Sequence, residues 1–167
     1  IEAIRPTLFI DEAETFLKFD QELRGILNSG WHRSGTVQRC VGDEFEVRKF
    51  STYCPKVIAG IGSLPDTIQD RSIVIQIRRK PLAVKVKRFR TGQVDHLTIL
   101  GRKAARWALD NISELRDMVP NVPSGLNDRA ADVWEPLMAI ADRIGGDLPD
   151  EVRQAALAIS AATPDSQ

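Results

Sequence analysis

The chain has 167 residues, of which 43% are hydrophobic and 28% charged. This length and composition predict one domain, or one domain with a smaller second one, and argue against a largely disordered chain. The apolar runs are too short for a membrane span and no secretory leader opens the sequence, so we expect a cytoplasmic protein with no membrane partner.

Charge is unevenly distributed, although the formal net charge is zero. Residues 1–90 hold 16 Lys/Arg and 11 Asp/Glu, whereas residues 91–167 hold 7 and 12. The difference predicts two regions with different surfaces, the first of them suited to a polyanion. Cys40 and Cys54 show no metal-ligand spacing, and free thiols are expected.

The first region predicts strands and helices in alternation. In chain order we predict a strand at 7–10, a helix at 13–28, a β-hairpin at 36–53, a strand at 56–60, a helical turn at 67–71 and a strand at 72–77. The apolar strands are typical of a parallel sheet buried on both faces, here an incomplete one. The hairpin carries exposed charges and is predicted to be an insertion that stands off the core.

The second region predicts helices. Leu97, Leu100 and Trp107 belong to one apolar face of a helix that begins at Asp95 and ends near residue 118. Asn127 is a candidate N-cap for a second helix that runs to about residue 144 and that Pro136 should kink or restart. A third helix is expected from Pro149 onward.

Two acids, Asp11 and Glu12, end the first predicted strand, and we call them the acidic pair. They lie where an α/β sheet binds its ligands, at the carboxyl end of a strand. There an Asp can hold Mg²⁺ through water, and the next Glu can orient or deprotonate a water molecule. Alternatively, the two acids simply cap the following helix and suit its dipole.

Three other positions are candidates for phosphate contacts. Ser63 belongs to the glycine loop (Gly60–Ser63) after the next core strand, although two glycines there also suit a plain tight turn. Arg71 precedes the last predicted strand and could stabilise phosphoryl-transfer charge or form a surface ion pair. Arg129, in the first turn of a helix, is poorly placed for the helix dipole and could bind a nucleotide phosphate or a nearby acid.

A basic segment follows the last predicted strand. Seven of the 13 residues from Arg78 to Arg90 are Lys or Arg, and none is acidic. They predict contact with a nucleic-acid backbone or, alternatively, a solvated edge strand over 84–89 whose cations discourage aggregation. The seven residues are Arg78, Arg79, Lys80, Lys85, Lys87, Arg88 and Arg90.

Taken in order, the motifs resemble one family. The run Thr7-Leu8-Phe9-Ile10-Asp11-Glu12-Ala13-Glu14 resembles the Walker-B strand of P-loop ATPases. The stretches 39–42, 59–75 and 128–137 are similar to those of DUF3631 proteins, a family of uncharacterised bacterial helicase-like or primase-helicase-like proteins of phages, plasmids and genomic islands. The resemblance covers roughly residues 5 to 155.

The resemblance implies an ATP- and Mg²⁺-dependent motor that acts on nucleic acid, in particular DNA, as a ring-shaped homo-oligomer. It implies an incomplete P-loop-type sheet in residues 1–90, with the hairpin inserted, and an α-helical lid in 91–167. The implied roles are metal acid for Asp11, catalytic base for Glu12, sensor for Ser63, arginine finger for Arg71 and lid sensor for Arg129. Asp11, Ser63 and Arg129 are then expected to converge at one edge of a cleft.

One part of such a motor is missing from the sequence. No Gly-x-x-x-x-Gly-Lys-[Ser/Thr] occurs in the 167 residues, and Ser63 stands where many such ATPases use Asn or Thr. Since Ile1 is not an initiator, we expect a fragment that lacks its upstream phosphate loop and does not hydrolyse ATP alone. Two other functions stay open: a non-catalytic nucleic-acid-binding module, and a metal-dependent nuclease that uses Asp11, Glu12 and Glu14.

Overall fold

The computed structural model describes residues 6–86 and 95–162. The described elements are β1 (Leu8–Ile10), a 3-10 turn (Ala13–Thr15), α1 (Gln21–Ser29), β2 (Thr36–Val41), β3 (Glu46–Ser51), β4 (Lys56–Ile58), α2 (Asp66–Gln69), α3 (Asp95–Asp117), α4 (Asp128–Ile144) and α5 (Leu148–Ala162). They form two compact units that divide between Ile73 and Val74. We call these unit 1 and unit 2; the division falls earlier in the chain than residue 90, where composition changes.

A small parallel sheet is formed by the first and last strands of unit 1. β1 pairs with β4, with Leu8 opposite Lys56 and Ile10 opposite Ile58. Parallel strands require a crossover connection, and here α1 and the hairpin lie between them in the sequence. The described residues therefore form a mixed α/β fold, with one small parallel sheet and one antiparallel hairpin.

The hairpin predicted over 36–53 is confirmed. β2 and β3 pair in antiparallel fashion. Two residues in the turn have positive φ, Gly42 at 71° and Phe45 at 53°. An ion pair between Arg39 and Glu22 connects β2 to α1. This ion pair attaches the hairpin to α1 through β2.

The core of unit 1 joins elements that are distant in the sequence. Its buried members come from the segment after β1, from α1 and from α2: Ala13, Leu17, Leu27 and Ile68. Leu8, Ile10 and Ile58 pack against them from one face of the parallel sheet. On the other face Phe9 is 74% exposed. Within the described residues, the sheet is thus buried on one face only, and not on both as expected.

A lysine at the start of β4 fastens three backbone segments. Lys56 Nζ donates to Gly30 O at 2.6 Å, to Cys54 O at 3.0 Å and, more weakly, to Thr52 O at 3.4 Å. Burial lowers the pKa of Lys56 from its ordinary value, while the neighbouring Cys54 acts in the opposite direction. This ammonium group, with its carbonyl partners, connects the end of α1 to the end of the hairpin. Cys54 is buried, and its thiol is free, which the sequence predicts.

Two predicted elements of unit 1 differ in the structure. The helix predicted over 13–28 is divided because Asp20 is extended (φ −92°, ψ 92°) and caps α1 by accepting a hydrogen bond from Leu23 N at 2.8 Å. The strand predicted over 72–77 is wrong, since these residues form no regular element and Ile77 is 91% exposed. β-branched residues favour strands, but a strand also needs a hydrogen-bonding neighbour, and neither described sheet supplies one.

Unit 2 contains the three predicted helices. α4 begins after Asn127, whose side chain accepts a hydrogen bond from Ala130 N at 2.9 Å, and it continues as one helix through Pro136. α4 and α5 pack together, and their buried residues are Trp134, Met138, Ala139, Ala141 and Ala156. Arg153 strengthens this contact through a two-bonded ion pair with Asp142, at 2.8 and 2.9 Å.

The predicted apolar face of α3 is largely exposed. Leu97 and Leu100 are exposed, and Trp107 is half-buried. Glu114 connects α3 to α4 through an ion pair with Arg143 at 3.0 Å. The 3.6-residue period thus predicts the helix correctly, but burial of its face is not found within unit 2. Within the described part of the chain, no helix has the length and apolar character needed to cross a bilayer.

Candidate active site

The acidic pair and the glycine loop leave the parallel sheet at the same edge. The register places Ile10 opposite Ile58, at the carboxyl ends of β1 and β4. The pairing continues beyond the strands, because Ala59 N donates to Ile10 O at 2.8 Å and Ala13 N donates to Ala59 O at 3.0 Å. The structure therefore brings Asp11, Glu12 and the loop that contains Ser63 together, as the strand order predicts.

The backbone of the acidic pair turns sharply out of β1. Glu12 has φ 53° and ψ 37°, a left-handed conformation that costs an ordinary residue about 1–2 kcal/mol. The Asp11 carboxylate supports this conformation by accepting a hydrogen bond from Glu12 N at 2.9 Å, and Glu12 O accepts one from Thr15 Oγ1 at 2.8 Å. Both acidic side chains are exposed. A strained residue that its neighbours support is a feature common at functional sites.

Helix capping does not account for the acidic pair. α1 begins well after it, with Asp20 as the N-cap. Glu12 precedes the 3-10 turn, but its side chain makes no capping hydrogen bond there. The Asp11 carboxylate binds the very next N–H, that of Glu12, and not one within a helix. Both carboxylates are therefore left on the surface at the sheet edge.

The glycine loop is anchored on both sides of Ser63. Before it, Ile61 N donates to Glu14 Oε2 at 3.0 Å; after it, Gln69 Nε2 donates to Leu64 O at 2.7 Å. Gly62 has φ 84°, a conformation that favours glycine. Ser63 itself is exposed. The tight-turn interpretation explains the glycines, and the two anchors lie on either side of an exposed hydroxyl.

The acidic pair fits a magnesium ion better than Glu14 does. Proteins commonly bind Mg²⁺ through one or two carboxylates, with water and substrate phosphates completing the shell. Asp11 offers an exposed carboxylate that the Glu12 N–H orients, whereas the Glu14 carboxylate is engaged with Ile61. Within residues 6–86 and 95–162, no group of three or more His, Cys, Asp or Glu is arranged to hold a metal. The engagement of Glu14 does not favour the nuclease interpretation.

Arg71 packs within unit 1. Its guanidinium lies 5.5 Å from the centroid of the Trp31 ring, in a cation–π arrangement. Its Nη1 donates to Thr67 O at 2.6 Å, and the residue is half-buried. In this conformation Arg71 stabilises the end of α2 against the loop after α1.

The remaining predicted residues lie in unit 2. Arg129 is exposed in the first turn of α4. Four basic-segment residues, Arg78, Arg79, Lys80 and Lys85, are exposed on irregular chain, and Lys80 Nζ donates to Val84 O at 2.9 Å. Residues 84–86 do not form the predicted edge strand. Lys87, Arg88 and Arg90 lie outside the described residues.

Sequence reasoning missed the contact between Glu14 and the glycine loop. The only individual role that the sequence suggested for Glu14 was that of a third acid in a nuclease. For Gly60 it suggested only a place in a turn. Their contact spans more than 40 residues of chain and depends on the register of β1 with β4. The only signal in the sequence was the short spacing from Glu14 to the acidic pair, and this spacing does not tell which residue the Glu14 side chain contacts.

Comparison with known proteins gives a family and one uncharacterised relative. The family model described as "Protein of unknown function (DUF3631)" matches residues 76–167. A protein of Saccharopolyspora erythraea, described as an uncharacterized 28.9 kDa protein in the xis 5′ region, is 38% identical over 91 residues. The aligned part covers 54% of this chain but only 34% of that relative, about a third of its length. No solved structure matches the chain.

Proposed function

The chain belongs to the DUF3631 family, whose function is unknown, and we propose that it forms part of an ATP-driven motor that acts on nucleic acid. The acidic pair would be the Walker-B-type end of its central strand. The fold would be the distal part of a P-loop ATPase core, and unit 2 its helical lid. A segment outside these 167 residues would supply the phosphate-binding loop.

One observation carries the proposal. Two parallel strands end side by side, one followed by an exposed Asp-Glu pair and the other by an anchored loop with an exposed serine. Ligands of α/β sheets bind at this edge. The strained Glu12 backbone adds support, because it presents two adjacent carboxylates in a conformation that an unconstrained chain avoids.

The residues have distinct proposed roles. Asp11 would hold Mg²⁺, which stabilises the charge that develops during phosphoryl transfer. Glu12 would orient a water molecule and accept its proton. Ser63 would contact the terminal phosphate of ATP. Arg129 would reach the nucleotide as a lid residue.

Metal binding tests the site on the chain itself. Paramagnetic Mn²⁺, a substitute for Mg²⁺, is added and the amide NMR signals are followed. Signals of the acidic pair and of the glycine loop should broaden first, and Asp11→Asn should abolish that broadening. Asp43→Asn, which removes an exposed acid in the hairpin turn, is the matched control. If the broadening is unchanged in Asp11→Asn, Asp11 is not the metal ligand and the proposed metal site is wrong.

Hydrolysis tests the proposal at the level of activity. The 167-residue chain alone should not turn over ATP, because most phosphate contacts come from a loop that it lacks. A longer protein that contains the chain and a phosphate loop should hydrolyse ATP and lose that activity with Glu12→Gln but not with Glu44→Gln. Steady ATP turnover by the short chain, abolished by Glu12→Gln, would contradict the proposal that a segment outside the chain supplies the phosphate-binding loop.

Arg71 is proposed to act across a subunit boundary in a ring. It would have to leave the Trp31 ring to reach a neighbouring nucleotide. Mixing Arg71→Ala subunits with Glu12→Gln subunits of the longer protein should then restore partial activity, since some interfaces pair an intact acid with an intact arginine. Absence of recovery at every ratio, with assembly intact, would favour a structural role for Arg71.

A non-catalytic nucleic-acid-binding module is the second candidate. The exposed cations Arg78, Arg79, Lys80 and Lys85 favour it, because such residues bind phosphates without any need for the acidic pair. Replacing Arg78 and Arg79 by Gln should weaken DNA binding and flatten its salt dependence under either function. If the longer protein keeps its full function when it carries both Asp11→Asn and Glu12→Gln, the binding module is the correct interpretation.

A further inference from the structure

Glu14 joins the acidic segment to the glycine loop. Its Oε2 accepts a hydrogen bond from Ile61 N at 3.0 Å, and the side chain is half-buried. The backbone that carries it is fixed, because Ala13 is fully buried and its N–H donates to Ala59 O. The backbone from which the Glu14 side chain extends is therefore fixed beside the loop.

Gly60 is matched to this carboxylate. A Cβ atom on Gly60 would lie 2.7 Å from Glu14 Oε2, closer than real contacts allow. The same Cβ would lie at ordinary distances from the backbone, 3.5 Å from Glu14 N and 3.6 Å from Ala13 N. The glycine thus makes room for one group, the Glu14 carboxylate.

We propose that Glu14 is a positioning residue, which holds the glycine loop so that Ser63 stays at a fixed distance from the acidic pair. The carboxylate accepts a charge-assisted hydrogen bond from the Ile61 N–H, which is a strong form of hydrogen bond. In this role it neither binds the metal nor transfers a proton. The ligand that benefits, a terminal phosphate with its divalent cation, rests on the proposed function. The anchoring itself does not.

Amide hydrogen exchange at Ile61 tests the anchoring. Exchange should become about tenfold faster or more in Glu14→Ala, and also in Gly60→Ala, where the new methyl displaces the carboxylate. Glu14→Gln should restore part of the protection, because its amide oxygen still accepts. Glu44→Gln and Gly101→Ala, whose added methyl meets nothing within 4 Å, are the controls. Unchanged exchange in Glu14→Ala and Gly60→Ala would overturn the proposal.

The flexible Glu14 side chain can turn aside, so Gly60→Ala should remain folded even if Glu14→Ala does not. Mn²⁺ broadening then separates the two proposals. In Glu14→Ala the acidic pair should still broaden while Ser63 broadens less, and Glu14→Gln should reverse that loss. Equal broadening of Ser63 in Glu14→Ala would refute the positioning role. If Mn²⁺ ignores the acidic pair in the wild-type chain, the proposed function fails and Ile61 exchange alone decides the role of Glu14.

Discussion

Unit 1 carries the candidate residues of the sheet edge, whereas unit 2 carries the family signature together with Arg129. The family model matches residues 76–167, and the described residues of that match belong to unit 2. The acidic pair, the glycine loop and Arg71 lie before the match. Family membership therefore describes a helical unit and transfers no information about these three features, whose roles have to be argued from their own geometry.

The contacts that stabilise each unit internally also differ. Besides its hydrophobic core, unit 1 has close backbone contacts, such as the Lys56 ammonium among three carbonyls and Gly30 against the Thr52 carbonyl. Unit 2 depends on side-chain packing between α4 and α5, with Met138 fully buried. The backbone contacts of unit 1 should therefore be sensitive to added atoms, and the α4–α5 contact of unit 2 to removed ones.

The largest expected effect is a deletion in unit 2. Met138→Ala removes a fully buried side chain and should lower the free energy of unfolding by about 3 kcal/mol. Leu137→Ala, next to it on the exposed side of α4, should cost about 1 kcal/mol or less. Urea unfolding followed by circular dichroism measures both. Equal losses would mean that α4 and α5 do not form the core of unit 2.

An addition in unit 1 should have the next largest effect. A Cβ atom on Gly30 would overlap the Thr52 carbonyl and lie 2.6 Å from Lys56 Nζ. Backbone cannot move aside cheaply, so Gly30→Ala should cost about 2 kcal/mol. Its φ of −89° suits alanine, so the cost comes from space and not from backbone conformation.

Gly25, inside α1, supplies the matched control for Gly30 at the C-cap of that helix. Nothing lies within 4 Å of a Cβ atom added there. Gly25→Ala should therefore stabilise the chain by about 0.5–1 kcal/mol, since glycine is costly inside a helix. The two substitutions should shift the urea midpoint in opposite directions. A loss from both would show that α1 does not tolerate alanine for some reason other than the Thr52 contact.

Local pattern predicted most elements, and long-range contact decided the rest. The hairpin, β1, β4 and α2 to α5 follow from alternation, period and caps such as Asn127. The prediction of a strand at 72–77 was wrong because the composition of a segment does not show whether another strand lies beside it. The placement of the acidic pair beside the glycine loop followed from strand order, but Glu14 on Ile61 and Arg71 on Trp31 did not. Those contacts depend on side-chain directions that only the folded chain sets.

The smallest expected effect concerns pH and again separates unit 1 from unit 2. Burial lowers the folded-state pKa of Lys56 below the ordinary 10.5, so the folded chain releases this proton at a lower pH than the unfolded chain does. Below the folded pKa both states are protonated and the full penalty of burying the charge applies. Between the folded pKa and 10.5 only the unfolded state holds the proton, so stability rises with pH.

Comparison with Lys56→Met isolates this contribution. As pH rises toward 10.5, the free energy of unfolding of the wild type minus that of the variant should increase. The measurement is made in a Cys54→Ala background, so that titration of the neighbouring thiol does not enter the difference. Lys85→Met, which removes an exposed lysine from unit 2, is the control over the same range. A difference that falls with pH would mean that the three carbonyls outweigh burial and that the ammonium form is favoured in the folded chain.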